Sequence, residues 1–134
     1  MASELKVDKF TGVTTAGSID VTGEGNSTTT NLQQGLAKAW INYDATASSD
    51  YTRDSFNVAS TTDHAVGQHD ITFSNVMANV NHAGVTNGHR DDNQAISIIH
   101  YGQSNLFRFK LNAHTSGTNS DSDATFGAIF GDLA

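Results

Sequence analysis

Histidine has the widest chemical repertoire of the residue types in this sequence, because imidazole binds metals and also transfers protons near neutral pH. His64 and His69 flank a predicted turn, and Asp70 follows directly, a grouping that can serve a surface metal site. The alternative is that these side chains are solvated or replace packed aromatic rings. We favour this alternative and expect no metal and no other cofactor. The six histidines are His64, His69, His82, His89, His100 and His114.

Oxygen-bearing side chains alternate along residues 119–123, which read Asn-Ser-Asp-Ser-Asp. A calcium-binding loop begins in this way, but it also requires Gly at its sixth position and Glu at its twelfth. Those positions hold Ala124 and Phe130 here. The segment is therefore predicted to be a polar hairpin loop without an ion.

Two adjacent carboxylates, Asp91 and Asp92, follow His89 and Arg90. Paired carboxylates can perform acid–base chemistry only if they converge on one point, and neighbours in a strand or turn point in different directions. An exposed charged loop that contacts a sugar or a protein surface is the favoured interpretation. The 44–51 loop is a second such place, since its tyrosine is available for stacking. The contact candidates are Tyr51, Asn87, His89, Arg90, Asp91 and Asp92.

The motifs that position a nucleophile or a phosphate are missing from the sequence. Neither Gly-x-Ser-x-Gly nor a glycine-rich loop followed by lysine occurs. The chain has no cysteine, which removes thiol catalysis, disulfides and zinc–thiolate sites. We therefore expect a protein that is not an enzyme and has no catalytic residue.

The charge of the chain argues against nucleic acid as a partner. The formal net charge is −7, and only seven lysines and arginines are present, scattered along the sequence. Binding to a phosphate backbone or to an anionic membrane surface needs such residues in clusters. No apolar run approaches the roughly 20 residues of a membrane span, and the first residues lack the apolar core of a signal peptide. We expect synthesis in a cytosol and no membrane insertion.

The composition favours strands over helices. Ser and Thr together number 29, Asn numbers 12, and Glu and Lys number only 2 and 4. The residues that stabilise exposed helix surfaces are therefore scarce, while Thr, Val, Ile, Phe and Tyr suit strands. Alternating patterns predict an all-β antiparallel sandwich, jelly-roll-like, with about seven strands in its body. The predicted body strands are residues 35–43, 55–60, 69–74, 76–85, 95–101, 106–111 and 124–130.

Two further strands are predicted before the body, at residues 4–10 and 17–23. A polar stretch at residues 23–30 resembles a linker, so residues 1–34 are predicted to be an extended N-terminal arm and residues 35–134 the body. The 35–43 strand carries apolar bulk on both faces, which predicts that it is covered on both sides, although a short helix over 36–40 competes. Asn87-Gly88 predicts a turn.

Residues 35–43 read Gly-Leu-Ala-Lys-Ala-Trp-Ile-Asn-Tyr. They resemble the Gly-x-Ala-Lys-Ala-Trp-Val-Asn-Phe opening of a domain of tail-fibre-like and other virion proteins of tailed bacteriophages, including marine ones. Residues 53–58, Arg-Asp-Ser-Phe-Asn-Val, are similar to the next strand of that family. Residues 127–132, Gly-Ala-Ile-Phe-Gly-Asp, match its ending. The resemblance spans most of the chain and is loosest in the middle, where His69 and His82 replace tyrosines common in the family.

The resemblance implies an all-β domain of a virion component, with a homotrimeric assembly and without catalytic residues. The arm would dock on other virion proteins or intertwine with neighbouring copies, and the body would face outward towards a host surface glycan or protein. The aromatic residues of the matching motifs are then packing residues of the core or of the trimer interface. They are Trp40, Phe56, Phe73 and Phe130.

The expected function is that of a short fibre or tail-fibre-like protein that contributes to host attachment, located on the virion after synthesis in the host cytoplasm. The chain is very short for a complete tail fibre, so a capsid decoration or head-fibre protein is the main alternative, and the location is the tail or the capsid surface. A free carbohydrate-binding module is a third possibility, against which the missing signal peptide argues.

Overall fold

The computed structural model describes residues 4–14, 18–23, 25, 28–46, 51–89, 96–113 and 116–134. The chain divides into two compact units, residues 1–36 and residues 37–134, here called the arm and the body. The division falls two residues after the predicted boundary. In the described ranges the regular structure is antiparallel β-sheet apart from one short helix, which confirms the all-β prediction. That helix has four residues, and none in the described ranges is long and apolar enough to cross a membrane.

The arm contains a two-stranded antiparallel sheet formed by β1 (Asp20–Thr22) and β2 (Thr29–Asn31). Helix α1 (Leu32–Gly35) follows directly, and the Asn31 side chain accepts a hydrogen bond from the Gln34 backbone amide at 3.0 Å, which caps its first turn. The prediction of a strand over residues 4–10 is wrong, because these residues form no ladder. Alternation alone does not make a strand without a neighbour to pair with.

Eight strands form the described part of the body, one more than the sequence predicts. Their bounds are β3 (Ala39–Tyr43), β4 (Thr52–Phe56), β5 (Val58–Ala65), β6 (Gln68–Phe73), β7 (Ala83–His89), β8 (Ile96–Gly102), β9 (Leu106–Ala113) and β10 (Ala124–Phe130).

The eight strands are arranged in two four-stranded antiparallel sheets. Sheet I has the order β4-β3-β10-β7, and sheet II has the order β5-β6-β9-β8. Both sheets contribute buried side chains to one apolar core, in which Phe107 and Phe109 of β9 pack edge to face with ring centroids 4.8 Å apart. One face of β3, formed by Ala39, Ile41 and Tyr43, is buried in this core.

The extra strand arises at Asn57, which divides the predicted strand over 55–60 into β4 of sheet I and β5 of sheet II. Asn57 has φ +57°, a left-handed conformation that asparagine tolerates better than most residues. Its side-chain amide donates to the Lys38 and Asn75 carbonyls, each at 2.9 Å, and its side-chain oxygen accepts from the Asn75 amide at 2.6 Å. These bonds hold the chain where it changes sheets.

The predicted turn at Asn87-Gly88 is wrong. Both residues lie inside β7, where Asn87 pairs with Phe126 and Gly88 with Thr125 of β10. Pairing with a long neighbouring strand outweighs the local turn preference of the dipeptide. The tight turn between β5 and β6 lies instead at Val66-Gly67, where Gly67 has φ +67°.

Gly127 of β10 marks the closest approach of β10 to the aromatic core. A Cβ atom at this position would lie 2.7 Å from Cζ of Phe109, whose ring is fully buried and has no room to withdraw. We predict that Gly127→Ala lowers the free energy of unfolding by about 1–3 kcal/mol, because overpacking a filled core forces side chains from their preferred positions. Urea unfolding measures this change.

Gly35→Ala is the matched control, since nothing lies within 4 Å of a Cβ added there. Its stability should stay within about 0.5 kcal/mol of the wild type. Equal stability of the Gly127→Ala and Gly35→Ala variants would contradict the proposed packing.

Candidate functional site

The outward side of sheet I carries a row of apolar residues that crosses all four strands. The ladder aligns Phe56 of β4 with Trp40 of β3, Trp40 with Ala128 of β10, and Ala128 with Val85 of β7. Phe126 lies two residues from Ala128 on the same side of β10. We call these five residues the apolar face. Its large members are exposed by 52% at Phe56, 37% at Trp40, 60% at Val85 and 45% at Phe126.

The apolar face is grooved rather than flat. A depression of about 480 Å³ is lined by the Trp40, Val85 and Phe126 side chains, with the small residues Gly127 and Ala128 also part of its lining. Single exposed apolar residues are ordinary, whereas a contiguous patch with large aromatic members is typical of an interaction surface. The sequence predicts that β3 is covered on both sides, but in the single chain that the structure describes its outer side is exposed.

A more polar row runs beside the apolar one on the same side of sheet I. It aligns Asp54 of β4, Asn42 of β3, Phe126 of β10 and Asn87 of β7. The side-chain oxygen of Asn42 is buried and has no hydrogen-bond partner among the described residues. A buried polar atom without a hydrogen-bond partner costs free energy.

The four predicted packing residues have different positions. Phe73 belongs to the core and stacks on Phe107 with ring centroids 5.8 Å apart. Trp40 and Phe56 lie on the apolar face, outside the core. Phe130 is half-buried at the end of β10, on the same side as Phe126. Of these four residues, only Phe73 is therefore a core residue.

The predicted contact residues do not form one described loop. Tyr51 is half-buried and packs against the core beside Tyr43, with ring centroids 5.5 Å apart. Asn87 lines the groove of the apolar face. His89 is exposed at the end of β7, and its Nδ1 lies 3.7 Å from an Asp123 carboxylate oxygen. The remaining three candidates, Arg90, Asp91 and Asp92, lie outside the described residues.

His69 is fully buried and lies between two side chains, Asp121 and Tyr43, that are within hydrogen-bonding distance of its ring nitrogens. Its Nε2 lies 3.2 Å from a carboxylate oxygen of Asp121, and its Nδ1 lies 2.6 Å from the Tyr43 hydroxyl. In the tautomer that satisfies both contacts of a neutral imidazole, Nε2 donates to Asp121 and Nδ1 accepts from the Tyr43 hydroxyl. Burial, and to a lesser degree the adjacent Tyr51 and nearby carboxylates, raises the pKa of Tyr43 well above its usual value, which keeps its donor proton in place.

The 119–123 segment uses its oxygen atoms within the fold. Asp121 accepts from the Gly67 backbone amide at 2.6 Å as well as facing His69, and the Ser122 hydroxyl donates to the His89 carbonyl. These contacts hold the segment against the turn that joins β5 and β6 and against the end of β7. No cluster of three metal-ligating side chains occurs among the residues that the structure describes.

A second surface, which the sequence analysis missed, lies on the outward side of sheet II. A depression of about 370 Å³ there is lined by polar residues of β6, β9, the end of β8 and the loop that follows β8. Together with Asp70, whose carboxylate pairs with Arg108, we call these residues the polar face. They were overlooked because they alternate with core residues on three separate strands. The lining residues are Gln68, Tyr101, Gln103, Arg108 and Lys110.

Comparisons with known proteins add no relative to this picture. No protein-family model, curated protein or solved structure matches the chain.

The buried hydrogen bond between Tyr43 and His69 leads to a stability prediction. Tyr43→Phe removes the only described side-chain donor to His69 Nδ1 and leaves a buried acceptor unpaired, so the free energy of unfolding should fall by about 1–3 kcal/mol. Chemical unfolding followed by circular dichroism measures it.

Tyr51→Phe serves as the control. It also removes a tyrosine hydroxyl, but from a half-buried neighbour that takes no part in the Asp121–His69–Tyr43 hydrogen bonds. The control should stay within about 0.5 kcal/mol of the wild type. A Tyr43→Phe variant as stable as the control would show that the hydroxyl does not contribute as described.

Proposed function

We propose that this protein is a structural component of a bacteriophage virion, a short fibre or tail-fibre-like protein exposed on the particle and contributing to host attachment. It acts by assembly and binding and is not an enzyme. The observation that carries the proposal is the apolar face, which in a single chain exposes Trp40, Phe56, Val85 and Phe126 to solvent. The opening and closing motifs that resemble phage virion proteins overlap β3 and β10, the two central strands of the sheet with this face.

The body is proposed to be an antiparallel β-sandwich, because both sheets supply side chains to one core. β3 is the first strand of the body and pairs with β10, the last, as in a jelly roll. β4 lies at the edge of sheet I and pairs with β3, whereas a full jelly roll would pair it with the strand before the last. The likeness to a jelly roll is therefore confined to the first pairing.

The proposed partner of the apolar face is the same face of other copies, in a homotrimer. Lysine, arginine and glutamate are absent from the apolar and polar rows of sheet I, and Asp54 is their one charged member. Copies of an acidic chain can therefore meet here with little opposing charge. Three copies related by a closed rotation would each present this face towards the common axis.

The arm is proposed to dock on other virion proteins. It exposes large apolar side chains along residues 5–13, a segment that forms no helix or strand of its own. Such a segment can gain order by binding a partner surface. The exposed side chains are Leu5, Val7, Phe10 and Val13.

Self-association through the apolar face can be tested with two matched valines. Val85 on this face and Val66 in the turn between β5 and β6 are each 60% exposed. We predict that Val85→Glu shifts the chain from trimer towards monomer, because it places a charge in an apolar interface. Val66→Glu adds the same charge elsewhere and should remain trimeric.

Light scattering coupled to size-exclusion chromatography reports the molar mass of each variant. Circular dichroism checks that both remain folded, since an exposed Val→Glu change in a strand costs at most about 1 kcal/mol. A wild-type chain that is monomeric at micromolar concentration would overturn the trimer proposal, and so would a Val85→Glu variant with unchanged mass.

Location on the particle is a separate prediction. Immunogold labelling of purified phage with an antibody to the body should place gold on the tail if the protein serves host attachment. Gold spread over the head would replace this role with that of a capsid decoration or head-fibre protein. Particles without label, from cells that make the chain, would overturn the virion proposal as a whole.

A further inference from the structure

The outward side of sheet II differs chemically from that of sheet I. One row of its ladder aligns Thr62 of β5, Asp70 of β6, Arg108 of β9 and Tyr101 of β8. The next row aligns Ala65 of β5, Gln68 of β6, Lys110 of β9 and Ile99 of β8. The polar members of the two rows place hydroxyl, carboxylate, guanidinium, amide and ammonium groups around one aromatic ring, an arrangement that offers many hydrogen bonds to a ligand.

The polar face holds its side chains in defined positions before any ligand arrives. Arg108 donates two hydrogen bonds to the Asp70 carboxylate, at 2.5 and 2.8 Å. These hydrogen bonds hold the pKa of Asp70 below its usual value, so the carboxylate stays ionised near neutral pH. Bidentate pairs of this kind fix the plane of the guanidinium group, and its remaining donors stay available to a ligand.

Tyr101 gives the polar face its aromatic element. The residue is 55% exposed, and its hydroxyl accepts a hydrogen bond from the Gln103 side-chain amide at 3.0 Å. This bond restrains the ring at the rim of the 370 Å³ depression. An exposed, restrained ring can pack against the C–H face of a sugar, while the surrounding amides and charges bind its hydroxyls.

Lys110 gives the polar face a positive charge. Arg108 is neutralised by Asp70, whereas no described carboxylate forms an ion pair with Lys110. The chain has a net charge of −7 and only seven lysines and arginines, and two of these seven lie at this one depression. One of their two positive charges, that of Lys110, is not compensated by any described carboxylate. An uncompensated ammonium group beside a sugar-sized pocket favours a ligand with a carboxylate.

We propose that the polar face is a binding site for acidic glycans, with Tyr101 packing against a sugar ring and Lys110 pairing with a sugar carboxylate. Gln68, Gln103 and Arg108 hydrogen-bond the sugar hydroxyls. The biological role of this site rests on the proposed function in host attachment. Binding itself needs only the residues of a single chain. Because the polar and apolar faces lie on different sheets, copies that associate through sheet I leave it available.

The test uses the full-length chain and a panel of oligosaccharides of galacturonic, glucuronic and mannuronic acid, each paired with its methyl ester. The ester keeps the ring and removes the charge. Saturation-transfer NMR detects weak binding to each compound. We expect binding to at least one acid, with affinity for its ester lower by about tenfold, the effect of losing one charge-assisted contact.

Two variants test the assigned residues. Tyr101→Ala should weaken binding of the acid and of its ester alike by about tenfold. Lys110→Gln should weaken binding of the acid and leave that of the ester unchanged, so that the preference for the acid is lost. Lys9→Gln removes the same charge from the arm and should leave both affinities at the wild-type level.

Each contrary result has a definite meaning. No binding to any acid by the folded wild-type chain overturns the proposal, and so does equal or better binding of the esters. Acid binding that both variants retain would show that the site lies elsewhere. Since the assay needs neither a trimer nor a particle, its failure is distinguishable from failure of the virion proposal, which the light-scattering and labelling experiments decide.

Discussion

The shared core of the body constrains the rest of its structure, because a strand that turns one set of side chains inward must turn the alternate set outward. β3, β6, β9 and β10 supply nearly all of the described core, in which the Phe107 and Phe109 rings meet Gly127. Little freedom remains at these positions, since interiors are packed as densely as organic crystals. The outward side chains escape this constraint, and they are where the two sheets differ.

The difference between the two outer faces suggests a division of labour. Sheet I presents Trp40, Val85 and Phe126 around a groove, whereas sheet II presents charged and amide groups around Tyr101. An apolar face loses free energy while it contacts water and gains it when covered, so it suits a permanent contact. A polar face is stable in water and suits a weak, reversible contact. Several such contacts on one assembly add up to firm attachment by avidity.

Strand patterns in the sequence predicted the core better than the connections. The strands predicted over residues 35–43 and 106–111 correspond to β3 and β9, and every second side chain of each is buried, as the two-residue period of a strand requires. The break at Asn57 was not predictable from alternation, since Phe56 and Val58 continue the pattern while the chain moves to the other sheet. Asn87-Gly88 gave a false turn, because its pairing with β10 is a long-range interaction that a local rule does not contain. Tyr101 was missed as a surface residue since it ends an apolar run.

Trp40 is the only tryptophan of the chain and lies on the apolar face, so its fluorescence tests most directly whether copies cover that face. Acrylamide quenching and the emission maximum of Trp40 should be measured as the protein is diluted from a concentration at which it is assembled. Burial between copies predicts shielded, blue-shifted emission that becomes accessible and red-shifted on dilution. Emission that is solvent-exposed and equally quenched at every concentration would contradict the account.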